Sequence, residues 1–319
     1  MEFFFLVSGY LMMCTVMRRE QQPDSEPIGE ETLHFILKKA SVIFPEALVA
    51  WFIAFAITAF SKGWGVGTAI HQFLLYFWEM IFLSMTGLGK MGINTAVWYI
   101  SAMLIWMMVL YPLLRKHRDI MVHIVLPLSS LFVLGFLFRK FPNPRDPSKW
   151  IGLCYKGLLR AYAELSIGIL LYYPVHFLQS LSFRPLGRWL ITLVENGIYL
   201  LIFVFMAVAG AGDYDYFLIM LLSVAITLTF SDAGMDGKLF RNRLSYALGR
   251  FSIPIYLSHL FYAYYINLYV SVEHSIAMRL AVYFAVSFAT AFAVMFAGNA
   301  IRKLLPKIKT RAASLLLEQ

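Results

Sequence analysis

Apolar runs follow one another almost without relief, at residues 2–17, 42–60, 70–85, 97–114, 120–138, 158–180, 189–208, 214–230, 251–272 and 277–301. Each is near the roughly 17–25 residues that a bilayer-crossing helix requires. In hydrocarbon the backbone must satisfy its own N–H and C=O groups, so such segments become helices or a closed barrel. The chain is 60% hydrophobic and 14% charged, against roughly 25% charged in a soluble domain. Its longest polar stretches, Arg18–Leu33 and Arg139–Lys156, are too short to fold alone. The expected fold is all-α, a polytopic integral membrane helical bundle.

Basic residues orient the spans, because Lys and Arg collect on the cytoplasmic side. Arg302, Lys303, Lys307, Lys309 and Arg311 put the C-terminal tail inside. Counting backwards, Glu273–Ser275 is outside, and Lys238, Arg241, Arg243 and Arg250 are inside. Asp213–Asp215 is outside, while Arg184, Arg188 and the turn Arg115–Arg118 are inside. Arg18, Arg19, Lys38 and Lys39 also belong inside. That parity holds only if run 70–85 does not cross. It is short and carries His71 and Glu79, which suits a re-entrant or interfacial helix. About nine spans remain. The count leaves Arg139–Lys156 outside despite its five basic residues, and it puts Met1 on the outer face. The expected division is a transmembrane domain over 1–305 and a basic cytoplasmic tail over 306–319.

The net charge of +9 is spread over short loops between apolar runs, which is the topology signal and not a nucleic-acid face. Cys14 and Cys154 are far apart, one in an apolar run and one in a loop. They suggest no disulfide framework, and no metal-ligand spacing is seen. There is no glycine-rich nucleotide loop. The sixteen methionines read as packing.

Five stretches carry a family resemblance. EFFFLVSGYLM (2–12) has an FFxxSG pattern in Phe4, Phe5, Ser8 and Gly9. LKKASVIFP (37–45) resembles a basic RRxxRxxP pattern, with Lys38 and Lys39 for the first two arginines, Val42 for the third, and Pro45 kept. WYISAMLIWMMVLYPLL (98–114) resembles a WYLSA helix, and LLRAYAELSIGILLY (158–172) an Arg-to-Gly helix. LGRFSIPIYLSHL (248–260) resembles SxxIYLxH, ending at His259. In this order they resemble the bacterial acyltransferase family 3, membrane O-acyltransferases that modify sugars of surface polysaccharides. The resemblance implies a fold of ten helices with both ends cytoplasmic. Against that pattern the family's first helix is missing from this sequence, and a shortened chain is expected. It also implies a multi-pass protein of the bacterial inner membrane. Acetyl-CoA would be the acyl donor, and a cell-envelope glycan or lipid-linked sugar the acceptor.

Moving an acyl group from a thioester to a hydroxyl needs a base, donors to the oxyanion, and cations for the donor's phosphates. Histidine suits the base, because its pKa lies near neutrality. His259, within an aromatic-rich apolar run, is the leading candidate. The ordinary alternative is a neutral histidine bonded to a neighbouring helix. Glu46 is buried by position and is expected to pair with Lys38, Lys39 or a basic residue elsewhere, or to face a cavity. Arg160 and Glu164 are spaced i,i+4, which fits a structural pair as well as a site. Lys38, Lys39, Arg115 and Arg243 lie on the expected cytoplasmic rim, where they would meet the donor's phosphates. Positive-inside anchors that snorkel to headgroups would look the same. Ser8 and Gly9 read as a helix-packing pair rather than a nucleophile. His71 and His176 are weaker candidates, and His34, His117, His123 and His274 read as loop or boundary residues.

Three functions stay open: a membrane O-acyltransferase, a transporter or polysaccharide export protein, and an acyltransferase remnant without activity. No pair of inverted halves with broken helices favours the transporter.

Overall fold

The structure, a computed structural model, describes all residues except 23–25, 142–145, 210–214, 236, 238–241, 270–274 and 318–319. Arg145, Asp213, Lys238, Arg241, Glu273 and His274, used above, lie outside the described residues, as do the side chains from 305 onward.

Helices account for nearly all the ordered backbone. They are α1 (Glu2–Glu20), α2 (Ile28–Ser61), α3 (Val66–Met80), α4 (Val97–Ile120), α5 (Leu126–Lys140), α6 (Lys156–Leu170), α7 (Tyr172–Ser180), α8 (Pro185–Ala209), α9 (Asp215–Ser231), α10 (Arg243–Tyr269) and α11 (Ile276–Leu317). A two-stranded antiparallel hairpin, β1 (Trp150–Ile151) and β2 (Cys154–Tyr155), precedes α6. The ends of α1 follow the helix dipole: Glu2 opens it, and Arg18 and Arg19 lie in its last turn.

Among the described residues, four helical stretches are long and apolar enough to cross a membrane: Ile28–Ser61, Val97–Lys140, Pro185–Val208 and Ile276–Leu304. Tyr216–Ser231 is a shorter apolar helix. This is an all-α membrane protein. The second stretch joins two of the expected runs, 97–114 and 120–138. A π-helical turn, Met121–Val125, links α4 to α5, and His117 (φ −132°, ψ 39°) leaves helical geometry within the expected Arg115–Arg118 turn.

The chain divides into two compact units, 1–36 with 101–242, and 37–100 with 243–319. In the first, α1 packs on α6, and their motif glycines meet. A Cβ on Gly9 would lie 2.3 Å from the Leu165 carbonyl oxygen, and one on Gly168 would lie 2.2 Å from that of Leu6. Only glycine lets two backbones approach this closely. Leu6, Tyr10, Leu171, Val175 and Ile226 form the core beside them. On α8 and α9, Thr229 Oγ1 donates to Glu195 Oε1 (2.7 Å), and Arg188 donates to the Gly234 carbonyl from Nε (3.1 Å) and Nη2 (2.6 Å). The rest of α8 presents leucine, valine and phenylalanine outward, as a lipid-facing helix does.

In the second unit, α10 packs on α11, and Trp51, Ala54, Ile93 and Tyr262 form a core with Phe55, Trp64 and Phe73. Helix α3 has 15 residues, about 22 Å at ~1.5 Å per residue, against roughly 30 Å of hydrocarbon. After α3 the chain turns at Phe82 (φ 63°) and Gly87 (φ 84°). It then runs back along the helix, where Lys90 N donates to Leu75 O (3.0 Å) and Gly89 abuts Trp78. A helix followed by its own return is the geometry that a re-entrant segment requires.

Candidate active site

The predicted site residues fall in both units. Lys38, Lys39, Glu46, Arg243 and His259 belong to one, and Arg115, Arg160 and Glu164 to the other.

His259 is half-buried on α10, one turn after Pro254 and Ile255. Its Nδ1 lies 2.8 Å from the Tyr256 carbonyl oxygen and 3.2 Å from that of Ile255. A carbonyl only accepts, so Nδ1 carries a proton, and in the neutral ring Nε2 then holds the lone pair that a base needs. The same contact recurs at His123 (to Asp119 O, 2.9 Å) and His176 (to Tyr172 O, 2.9 Å). It is the usual bond of a helical histidine and does not by itself select a catalyst. His259 differs in its surroundings. Tyr256, whose ring lies 5.9 Å from the imidazole, donates its hydroxyl to Ala96 O (2.9 Å). Tyr99 packs edge-on against Tyr256. Ser258 is fully buried, and one turn on Tyr262 shares a hydrogen bond with Thr290 (2.6 Å).

Glu46 is buried on α2 and forms an ion pair with Arg302 of α11. Arg302 also donates to the Val42 carbonyl and to Asn299 Oδ1 (3.2 Å). A Cβ on Gly298 would lie 2.9 Å from Glu46 Cδ, so the glycine makes room for the carboxylate. The expectation left open a basic partner on another helix, and Arg302 is that partner. Lys38 is exposed on α2, Lys39 is half-buried beside it, and Arg243 is exposed at the first residue of α10.

In the other unit, Arg160 Nε donates to Glu164 Oε1 (2.6 Å), and its Nη2 binds Glu2 of α1. Glu164 has no exposed surface, and its Oε2 has no hydrogen-bond partner among the described residues. Arg115 Nε donates to Glu31 Oε1 (3.1 Å), and its Nη2 to Oε2 (3.2 Å). The same carboxylate accepts from the Tyr111 hydroxyl, with Arg19 4.0 Å away, and Phe35 stacks on Tyr111. Two arginines thus approach one carboxylate. Cys14 and Cys154 are free cysteines, and no group of metal-ligating side chains occurs among the described residues.

Sequence reading missed three residues that the structure joins to these groups: Glu2, Glu31 and Arg302. Glu31 and Glu2 left only the weak signal of an acidic residue in a first turn. Glu79 was marked only as polar, yet it is an almost fully buried carboxylate.

No curated protein and no solved structure matches the chain. The model of an acyltransferase domain, that of acyltransferase family 3, matches residues 1–298. The motif glycines that lock α1 to α6, the SxxIYLxH helix that carries His259 and the apolar spans all lie within that match, and the chain belongs to the acyltransferase 3 family.

Proposed function

We propose that this chain moves an acetyl group from acetyl-CoA to a sugar hydroxyl of a cell-envelope polysaccharide or lipid-linked glycan, within the bacterial inner membrane and with its C-terminus cytoplasmic. What supports the reading most is His259, a histidine inside a membrane family of acyltransferases, with Nδ1 protonated and Nε2 able to take a proton. In the proposed step Nε2 removes the proton of the acceptor hydroxyl. The oxygen attacks the thioester carbonyl, and the tetrahedral intermediate expels the CoA thiolate. The thiolate takes the proton back from the imidazolium and leaves as the thiol. Lys38, Lys39, Arg243 and Arg115 are the proposed cations for the donor's phosphates. Arg160, Glu164 and Glu46 are proposed site residues, each to be tested separately.

The test is transfer of radiolabel from acetyl-CoA to membrane glycan. His259→Ala is expected to lower it by roughly 10²–10⁴-fold, the usual contribution of a general base, while the protein still inserts. Wild-type transfer in that variant removes His259 from the mechanism. Glycan flux that needs no acyl-CoA would support export instead.

A further inference from the structure

Glu79 is 1% exposed, and the proposed reaction does not use it. A buried carboxylate is costly unless its charge is well answered. Its partners among the described residues are neutral. Oε2 accepts from Trp51 Nε1 (3.2 Å), Ile93 N (3.2 Å) and Asn94 N (3.3 Å), and Oε1 accepts from Gly92 N (3.2 Å). Three successive backbone N–H groups thus converge on one side chain. Gly92, with φ +135°, supplies the backbone bend between the returning segment and that cluster. The loop 92–96 has no strand to pair with, and its buried N–H groups need an acceptor. A carboxylate alone offers enough lone pairs on two oxygens.

The held loop is tied in turn to α10. Asn94 Nδ2 donates to the Leu257 carbonyl oxygen (2.9 Å), while Asn94 Oδ1 accepts from Ala96 N (3.2 Å). The Ala96 carbonyl accepts from the Tyr256 hydroxyl (2.9 Å), and the Tyr256 carbonyl accepts from His259 Nδ1 (2.8 Å). Both attachments therefore land on Tyr256 and Leu257, in the turn that precedes His259. All of these residues lie in one unit.

We propose that Glu79 is a positioning residue for His259. By gathering the Gly92–Asn94 amides it sets the two hydrogen bonds that orient the Tyr256–His259 turn. The role assigned to Glu79 rests on the reading of His259 as the base. Glutamine cannot replace it without loss, because both oxygens accept and the carboxamide nitrogen would face a donor.

The experiment measures carbethoxylation of His259 by diethylpyrocarbonate, which attacks the unprotonated imidazole nitrogen. The full chain is used in detergent, with site-resolved mass spectrometry. His123 and His176, with the same Nδ1–carbonyl bond in the other unit, are internal references. Glu79→Gln is expected to change the His259 rate by roughly threefold or more, the scale of coupling within one hydrogen-bond network, with both references unchanged. Asn94→Ala keeps the carboxylate and removes the tie to Leu257. It is expected to move the rate in the same direction, and it carries the test if Glu79→Gln does not fold. An unchanged His259 rate in a folded variant overturns the proposal. If the rate shifts while His259→Ala retains acetyl transfer, the positioning stands and the catalytic reading fails. If His259→Ala loses transfer and the rate does not shift, the reverse holds.

Discussion

Glu164 has no exposed surface and leans on one guanidinium, that of Arg160. Removing one partner of such a pair strands the other charge in a low-dielectric interior. Arg160→Ala is expected to destabilise the protein by about 3–5 kcal/mol, read as a drop in the thermal unfolding midpoint in detergent. Replacing both residues with leucine should recover part of the loss, since Glu2 also gives up its contact to Arg160. A single variant as stable as wild type would show that Glu164 is not held as an ion. Glu46 offers a milder case, because Arg302 keeps about a third of its side-chain surface exposed. Arg302→Ala should cost about 1–3 kcal/mol, the scale for leaving a buried acceptor unanswered. Exchanging the two residues, Glu46→Arg with Arg302→Glu, should restore part of it in the same melt.

At the scale of elements, the α1–α6 contact depends on having no side chain at two positions. Gly9→Ala or Gly168→Ala would drive a methyl into a backbone carbonyl 2.2–2.3 Å away. Overpacking of this kind costs about 1–3 kcal/mol. Gly135 on α5 has nothing within 4 Å of an added Cβ, so Gly135→Ala should be neutral or stabilise by up to ~1 kcal/mol. Equal melts for the three variants would discount the glycine contact. The β-hairpin before α6 is flanked by two of the five basic residues of the stretch 139–156. Lys149 and Lys156 both lie over the Phe141 ring, at 4.8 and 5.4 Å. Nearby, the Ser148 hydrogen bonds hold the Asp146 carboxyl below the usual carboxylate range, with Lys156 and Lys149 assisting. A depressed folded pKa adds stability above the unfolded value, and that stability is lost as pH falls through the folded one. The protection of the hairpin amides, relative to their intrinsic exchange rates at each pH, should therefore fall on acidification, and Asp146→Asn should remove that response.

At the scale of the whole molecule, the open quantity is how often the chain crosses. If α3 and its return form a re-entrant segment, single cysteines at Lys62 and Lys90 will react with an impermeant maleimide from the same side of sealed vesicles. Labelling from opposite sides would make α3 a span and reverse the assignment of everything N-terminal to it. A reporter fused after Gln319 should be cytoplasmic, given the five basic residues that close the chain.

The helices were legible because their causes are local. Apolar runs of bilayer length, Pro45 and Pro112 inside helices, and the short run 70–85 with its two polar side chains are all visible in a window of a few turns. Even the Arg160–Glu164 pair could be read, since one helical turn separates the two residues. Other partners were not legible. Glu46 with Arg302, Arg160 with Glu2, Arg115 with Glu31, Gly9 against Gly168, and Glu79 beneath the Gly92–Asn94 amides join residues from 13 to 256 positions apart. Charge and size at one position say that a buried ion needs an answer or that a small residue permits contact. They do not say which helix lies opposite. The sequence by itself determined an all-helical membrane protein with ionisable groups inside it. Only the tertiary structure decided what answers each of them, because a buried group bonds to whatever polar atom packing brings within about 3 Å.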